Sequence, residues 1–383
     1  MIHSEHCFNC GCDLQGEDPD PENTGAMEGL FEDFRGAEPR RRFLKLTSIE
    51  FCAGGGGQAL GVERAGYRHL RVVEWDNHAY QTLMDNRGKE WRPSREDMRF
   101  FKGLPFRRKV NLFAAGVPCP PFTDAGKQEG KDDERDLFPS ALRLIDQIQP
   151  DAVMLENVRG FLRPKFEAYR ESIFDKLKAF GYVPEAKLLE ARDFGVPQLR
   201  PRAVIVALRP AAFARLDWAV PEDVVPVTVG ESLYPLMVER GWKGADEWKL
   251  LADRVAPTLV GGSKKHGGPD LGPTRAKRQW AEMGVDGKVL ANEPPAGDFE
   301  GMPRLTVRMC ARLQGFPIGD TPDQDLWRFS GKKTNAYRQV GNAFPPPVAE
   351  HVARQIRLAI LPDVMKAAGQ ETPRIQDQFE PPQ

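Results

Sequence analysis

The chain predicts an α/β protein built on a mostly parallel sheet. Short apolar runs alternate with amphipathic stretches, Gly and Pro punctuate the junctions, and chemically distinctive residues follow directly after the apolar runs. Strands alternating with helices imply βαβ units. In open sheets of that kind, ligands bind at the carboxyl ends of the strands.

Each element follows from local pattern. Leu46–Phe51 reads as a strand, Gly54–Gly57 as a tight turn and Gln58–Ala65 as a helix. Leu70–Glu74 is a second strand, with a helix from Asn77. Val110–Ala115 is a third strand. Asp136–Ile148 has helical spacing, with Leu137, Ala141, Leu144 and Ile148 on one face, and Pro150 stops it. Ala152–Leu155 is another strand, Phe166–Phe180 an amphipathic helix ending at Gly181, and Ala203–Leu208 a further apolar run. Residues 210–304 are Gly- and Pro-rich with weak periodicity, and they carry a basic, flexible patch: Lys264, Lys265, then Arg275, Lys277 and Arg278. Regular structure resumes at Leu305, with a closing helix over Pro347–Leu361 and a polar tail. The expected organisation is an acidic, flexible arm over 1–45, a catalytic and cofactor domain over 46–208 plus 305–362, a smaller domain over 209–304 and a flexible tail over 363–383.

Composition narrows the class. The chain has 383 residues, 40% hydrophobic and 28% charged, with a net charge of −1. This is soluble globular composition, and overall charge does not announce a nucleic-acid partner. No apolar run is long enough to cross a membrane, and Met1-Ile2-His3-Ser4-Glu5 is not a basic-then-apolar leader. Six cysteines in this length do not make a disulfide framework, so a reducing cytoplasm is expected. Residues 1–38 hold ten acidic residues and one basic one, Arg35. His3, His6, Cys7, Cys10 and Cys12 crowd together there without a second ligand pair; free thiols are expected rather than a zinc site, and no metal is expected elsewhere.

Four constellations carry chemistry. Phe51-Cys52-Ala53-Gly54-Gly55-Gly56-Gly57 places a glycine turn between strand and helix, where backbone can approach a ligand at a helix N-terminus. Glu74 ends the next strand, twenty residues after Gly54, at the place of a ribose-binding carboxylate, and Trp75 can stack on a purine. Alone, the motif suits NAD, FAD or S-adenosylmethionine, or a turn that merely tolerates glycine. Second, Cys119 sits in Gly116-Val117-Pro118-Cys119-Pro120-Pro121, stiffened by prolines. It is either a nucleophile or a buried small hydrophobe. Third, Glu156-Asn157 follows an apolar strand; a carboxylate in a partly apolar pocket has a raised pKa and can donate a proton, though an exposed strand-end carboxylate would look the same. Fourth, alternation puts Gln198, Arg200 and Arg202 on one face, where arginine suits planar acceptors or a surface ion pair.

In this order, with Gln339-Val340-Gly341-Asn342-Ala343 near the end, these four resemble the DNA (cytosine-5) methyltransferase family. The likeness spans 46–208 and 305–361, roughly three-fifths of the chain. The cysteine loop is specific, with Phe122-Thr123 and the downstream Gly126, Gly130, Asp133, Arg135, Leu137 and Phe138. So is Glu156-Asn157-Val158. Arg308, Arg312 and Leu313-Gln314-Gly315-Phe316-Pro317 match a block that is usually structural.

The resemblance implies a Rossmann-like S-adenosylmethionine methyltransferase sheet with a smaller, irregular target-recognition domain over 209–304. It implies that Cys119 attacks C6 of a flipped-out cytosine, that Glu156 holds and protonates N3, that Arg202 binds O2, and that Arg200 and Asn157 support the site. Cofactor contacts would come from Cys52, Ala53, Gly54, Gly56, Glu74, Trp75, Asp97, Gly116, Pro118, Leu137 and Asn342. Contacts to double-stranded DNA would come from Lys264, Lys265, Arg275, Lys277 and Arg278. A monomer paired with a cognate restriction endonuclease is expected, or a solitary or phage methylase. Three departures stand out: Cys52 replaces a common Phe, Pro120 a common Gln and Phe344 a common Val. The rivals are an RNA (tRNA) cytosine-5 methyltransferase, a catalytically silent DNA-binding relative, and a nicotinamide dehydrogenase, which offers no role for Cys119 and Glu156.

Overall fold

The computed structural model describes residues 45–118, 136–222, 224–261 and 268–369. From Lys45 onward the chain forms one compact unit. Seven strands make one sheet: β1 (Leu46–Phe51), β2 (Tyr67–Val73), β3 (Pro93–Ser94), β4 (Leu112–Gly116), β5 (Ala152–Val158), β6 (Val183–Glu190) and β7 (Pro201–Leu208). Their spatial order is β3-β2-β1-β4-β5-β7-β6. All are parallel except β7, which runs antiparallel to both β5 and β6. The helices are α1 (Gly57–Arg64), α2 (Asn77–Trp91), α3 (Phe138–Ile148), α4 (Glu167–Ala179), α5 (Pro210–Phe213), α6 (Val229–Val238), α7 (Ala245–Leu251), α8 (Thr274–Glu282), α9 (Val307–Leu313), α10 (Lys333–Asn342) and α11 (Pro346–Ala367).

Strands β4, β5 and β7 are buried on both faces and carry continuous apolar runs rather than alternating ones, whereas β1 buries Ser48 and Glu50 among its apolar residues. On one face Ile49, Phe51, Phe113, Val153, Leu155 and Ile205 pack against Phe138, Leu144 and Ile148 of α3 and Ile173 and Leu177 of α4. At the other, α11 lies along α1 so closely that a Cβ on Gly61 would sit 2.5 Å from the Pro346 carbonyl oxygen. From β1 the chain steps outward to β2 and β3, then crosses back to β4. That reversal opens a cleft above the carboxyl ends of β1 and β4.

Several expectations need correction. The hairpin strand β6 was absent from the sequence reading. It is an edge strand carrying Pro184, Glu185 and Lys187, and it lacks an apolar run because one edge meets no partner. Residues 210–304 contain helices α5 to α8 and a well-formed core of Trp242, Trp248, Trp280, Leu233 and Leu271, continuous with Trp327 and Tyr337. Arg275, Lys277 and Arg278, expected in a flexible loop, lie on α8, which buried Trp280 anchors. The tail expected from 363 is helical through Ala367, where α11 ends. Among the described residues no helix is long and apolar enough to cross a membrane, and no cluster of three or more His, Cys, Asp or Glu is placed to hold a metal ion.

Candidate active site

The glycine turn after β1 has divided duties. Gly54, at φ +54°, faces open space: a side chain there would meet nothing within 4 Å. The next three glycines serve packing. A Cβ on Gly55 would sit 2.9 Å from Phe329, one on Gly56 2.7 Å from Trp327, and one on Gly57 2.3 Å from the Phe344 carbonyl oxygen. Trp327 Nε1 also donates to the Gly55 carbonyl at 3.1 Å. The run of glycines therefore lets the C-terminal segment close on the turn while Gly54 alone stays open to the cleft.

Glu74 sits opposite. Its Oε2 accepts from the Gly54 N–H and its Oε1 from the Asp76 N–H, each at 2.7 Å. Asp76 in turn caps α2, accepting from the N–H groups of His78 and Ala79 at 3.0 Å. Burial pushes the Glu74 carboxyl up, against the pull of these backbone donors. Trp75 follows with its ring 66% exposed at the cleft rim. Cys52 adopts φ +55° and sets its Sγ 3.4 Å from Met98 Sδ; burial pushes its thiol well up. Ala53 is buried. Asp97 is engaged by Arg99, whose Nε and Nη2 lie 2.9 and 2.6 Å from Oδ2, and this bonding holds its carboxyl below the usual range.

The other half of the cleft forms at β4, β5 and β7. Gly116 ends β4 beside β1: a Cβ there would meet the Cys52 carbonyl oxygen at 3.3 Å and Glu156 Oε2 at 3.7 Å. Glu156 and Arg202 come from antiparallel neighbours β5 and β7, and Arg202 Nε lies 2.8 Å from Glu156 Oε1. Their side chains are only 12% and 11% exposed. Burial pushes the Glu156 carboxyl up; Arg202 and Arg200 pull it back part of the way. Asn157 is buried and donates from Nδ2 to the Val117 carbonyl at 3.2 Å, which fixes the chain just before Pro118. Pro118 is exposed and Leu137 is half-buried ahead of α3. Cys119 lies outside the described residues.

Three assignments land elsewhere. Arg200 is 1% exposed and is spent on main chain, donating to the carbonyls of Leu259 (2.6 Å), Gly341 (2.7 Å) and Ala343 (2.9 Å). Gln198 and Arg200 share a buried side ahead of β7, with Leu199 exposed between them and Arg200 Nη1 3.4 Å from Gln198 Oε1. Asn342 is exposed and abuts Gly261, where a Cβ would lie 2.2 Å from its Oδ1. Lys277 is held by Asp270 at 2.7 Å, whereas Arg275 and Arg278 are exposed on α8. Lys264 and Lys265 lie outside the described residues, as do His3, His6, Cys7, Cys10 and Cys12.

Motif residues to which the sequence reading gave no contact in the site hold this frame. Gln198 Nε2 donates to Gln314 Oε1 at 2.7 Å, and Gln314 Nε2 to the Ala343 carbonyl at 2.5 Å. Gln339 Oε1 accepts from Thr82 Oγ1 at 2.6 Å, tying α10 to α2. Arg308 pairs with Glu239 and Asp325 at 2.6 and 2.7 Å, and Arg312 with Asp320 at 2.7 Å, consistent with a structural block.

A sheet of this order with one reversed strand, a glycine turn after β1 and an acidic residue ending β2 defines a Rossmann-like methyltransferase of the S-adenosylmethionine-using class. The chain belongs to the C-5 cytosine-specific DNA methylase family, whose model matches residues 46–358. It is 51% identical over 324 residues to the Type II methyltransferase M.NaeI of Lentzea aerocolonigenes, covering 82% of this chain and 75% of that one. It is 50% identical over 320 residues to the Type II methyltransferase M.NgoMIV of Neisseria gonorrhoeae, covering 83% and 99%. In fold it resembles a crystal structure of a Spodoptera frugiperda DNMT2 variant, with a TM-score of 0.56 at 18% identity over 82% of this chain and 99% of that one. The protein is thus a DNA cytosine-5 methyltransferase.

Proposed function

We propose that the chain methylates one short DNA sequence, acting at C5 of a cytosine turned out of the duplex and bonded through C6 to Cys119. The observation that carries this reading is the buried Glu156–Arg202 pair beside Gly116, at the mouth of the cleft that Gly54 and Glu74 also face. Burial raises the proton affinity of the Glu156 carboxyl, the direction a proton donor to N3 needs, and a guanidinium beside it offers a fixed donor. Cytosine presents the matching pair of acceptors, N3 and O2.

In this mechanism the Cys119 thiolate adds to C6 while Glu156 protonates N3, so the ring electrons collect at C5. S-adenosylmethionine, when bound, supplies the methyl group that C5 takes up. A base then removes the C5 proton, the C6–S bond breaks, and the N3 proton returns to Glu156. A thiolate serves as both nucleophile and leaving group, which a serine alkoxide does poorly. These ring atoms are out of reach in stacked DNA, so the base must leave the helix at a cost of a few kcal/mol.

The chain's residues suit the cofactor. Gly54 leaves room for a close approach to backbone, Glu74 offers an oriented carboxylate for a ribose diol, and Trp75 offers an open aromatic face. Residues 209–304 would supply target recognition, with Arg275 and Arg278 on α8 facing phosphates. The likeness to two Type II methyltransferases supports a role as the modification half of a restriction–modification pair in the cytoplasm.

The test is expression in a bacterium lacking cytosine methylation, followed by base-resolution sequencing of 5-methylcytosine. Methylation confined to one short motif is expected. An unmethylated genome with methylated tRNA would replace this reading with the RNA one.

A further inference from the structure

Strand β5 carries the chain from the base pocket straight to an exposed cation. Val158, the last residue of the strand, stands directly opposite Arg202 of β7 and is 47% exposed, so the cleft is open to solvent at this point. Arg159 follows and is exposed. At β-strand spacing its Cα lies about 10 Å from that of Glu156. The platform beneath it is firm. Arg159–Leu162 form a single 3-10 turn whose Phe161 is fully buried, its ring stacked on Phe138 of α3 with centroids 5.3 Å apart. Arg170 of α4 donates from Nη1 to the Phe161 carbonyl at 3.3 Å.

Arg170 thus serves the fold. Arg159 does not: among the described residues its guanidinium meets no carboxylate or carbonyl partner. The charge around it is of one sign. Arg163 and Lys165 are exposed next along the chain, and no acidic residue intervenes between Glu156 and Glu167. Exposed cations of one sign at a cleft rim draw anionic substrates to it. A base turned out about its own backbone leaves its flanking phosphates at the mouth of the pocket that receives it. Those phosphates are the charges that a planar guanidinium fork fits best.

We propose that Arg159 is a DNA-contact residue that grips a phosphate flanking the turned-out cytosine, so that the rim of the base pocket itself, and not only residues 209–304, holds the DNA backbone. The inference rests on the function proposed above, which puts the base at Glu156 and Arg202. Because Arg159 stands at a fixed distance from Glu156 on a pinned turn, its grip sets the target nucleotide's backbone against the pocket. Phosphate contacts of this kind fix register and orientation without reading sequence.

The test uses the full chain and duplexes carrying its target site, either unmodified or with one neutral methylphosphonate at either phosphate flanking the target cytosine. On the unmodified duplex Arg159→Gln should weaken binding about 10-fold, as for loss of a charge-assisted hydrogen bond, and lower the salt slope by about 1. Arg159→Lys should keep the slope. One of the two methylphosphonate duplexes should cost the parent the same affinity and cost Arg159→Gln nothing further. Tm and S-adenosylmethionine affinity should stay at the parent's values in both variants. An unchanged slope in Arg159→Gln would leave Arg159 as solvated surface and overturn the proposal. So would losses from the variant and from each methylphosphonate that simply add. A parent chain that methylates no DNA would instead sink the proposed function.

Discussion

Glu74 follows β2 and Glu156 lies within β5, and burial raises both carboxyls, yet they are held in opposite ways. Glu74 is gripped by two backbone N–H groups that cannot move without moving the glycine turn and α2. Glu156 is met by the side chain of Arg202, whose Nη1 also donates to the Pro201 carbonyl at 2.9 Å. Fixed neutral donors make a carboxylate into a permanent acceptor, suited to binding hydroxyls. A side-chain cation beside a desolvated carboxyl makes a group whose proton affinity is set by that one partner and by burial. Equal burial thus yields two roles, and the partner decides which.

The comparison breaks first at Glu156. Glu156→Gln retains the shape and a donor but has no proton to give, so kcat should fall by about 10²–10⁴-fold with cofactor affinity unchanged. Because the acid form is the active one, kcat of the parent should also decline as pH rises through the elevated pKa of Glu156. A rate that climbs steadily with pH would contradict its role as acid. Glu74→Ala should do the reverse: S-adenosylmethionine affinity measured by calorimetry falls by about 10–100-fold, as for loss of a charged hydrogen-bonding partner, while kcat at saturation stays within a few fold. Unchanged affinity would remove Glu74 from the cofactor site.

A stability control sharpens the pH argument. His69 is buried, with Nε2 against the Ala59 carbonyl at 2.9 Å and Nδ1 against Ser48 Oγ at 3.0 Å. A carbonyl only accepts, so the neutral ring donates from Nε2 and accepts the Ser48 hydroxyl proton at Nδ1. Burial pushes its pKa down to about 4. The unfolded chain takes up the proton near pH 6.5 and the folded chain does not, so stability falls as pH drops from about 6.5 towards 4, by about 3 kcal/mol in all. Urea unfolding at pH 7 and 4.5 should show this loss, smaller in His69→Gln; an equal slope in both would clear His69. Its window lies on the acid side, whereas the loss of kcat assigned to Glu156 grows as pH rises. The smallest effect is expected on α8, where Arg275→Ala with Arg278→Ala should lower the salt slope of DNA binding by about 2 and leave kcat alone. An unchanged slope would leave α8 as solvated surface.

The sheet and the two carboxylates were legible because their signals are local. β4 and β7 carry unbroken apolar runs, Glu74 follows directly after β2, and Glu156 comes straight after the apolar run of β5. What escaped depends on partners far away in sequence. Arg200 was expected to support the site, and nothing local reveals that its acceptors are carbonyls 59, 141 and 143 residues downstream. Gly56, expected at the cofactor, packs instead on Trp327, and Gly55 and Gly57 on Phe329 and Phe344, all from the far end of the chain. The core around Trp242, Trp248 and Trp280 hid in a segment whose short helices leave too few turns for periodicity to register. Edge strand β6 hid behind its own polarity.

The most direct measurement is covalent trapping. A duplex bearing 5-fluorocytosine at the target position blocks loss of the C5 substituent after methyl transfer, so the bond from Cys119 to C6 cannot be released. With S-adenosylmethionine present, the parent chain should form a denaturant-stable adduct with that DNA, Cys119→Ser should form none, and Glu156→Gln should form it far more slowly. An adduct that survives in Cys119→Ser, or a parent chain that methylates normal DNA yet never traps, would contradict the account.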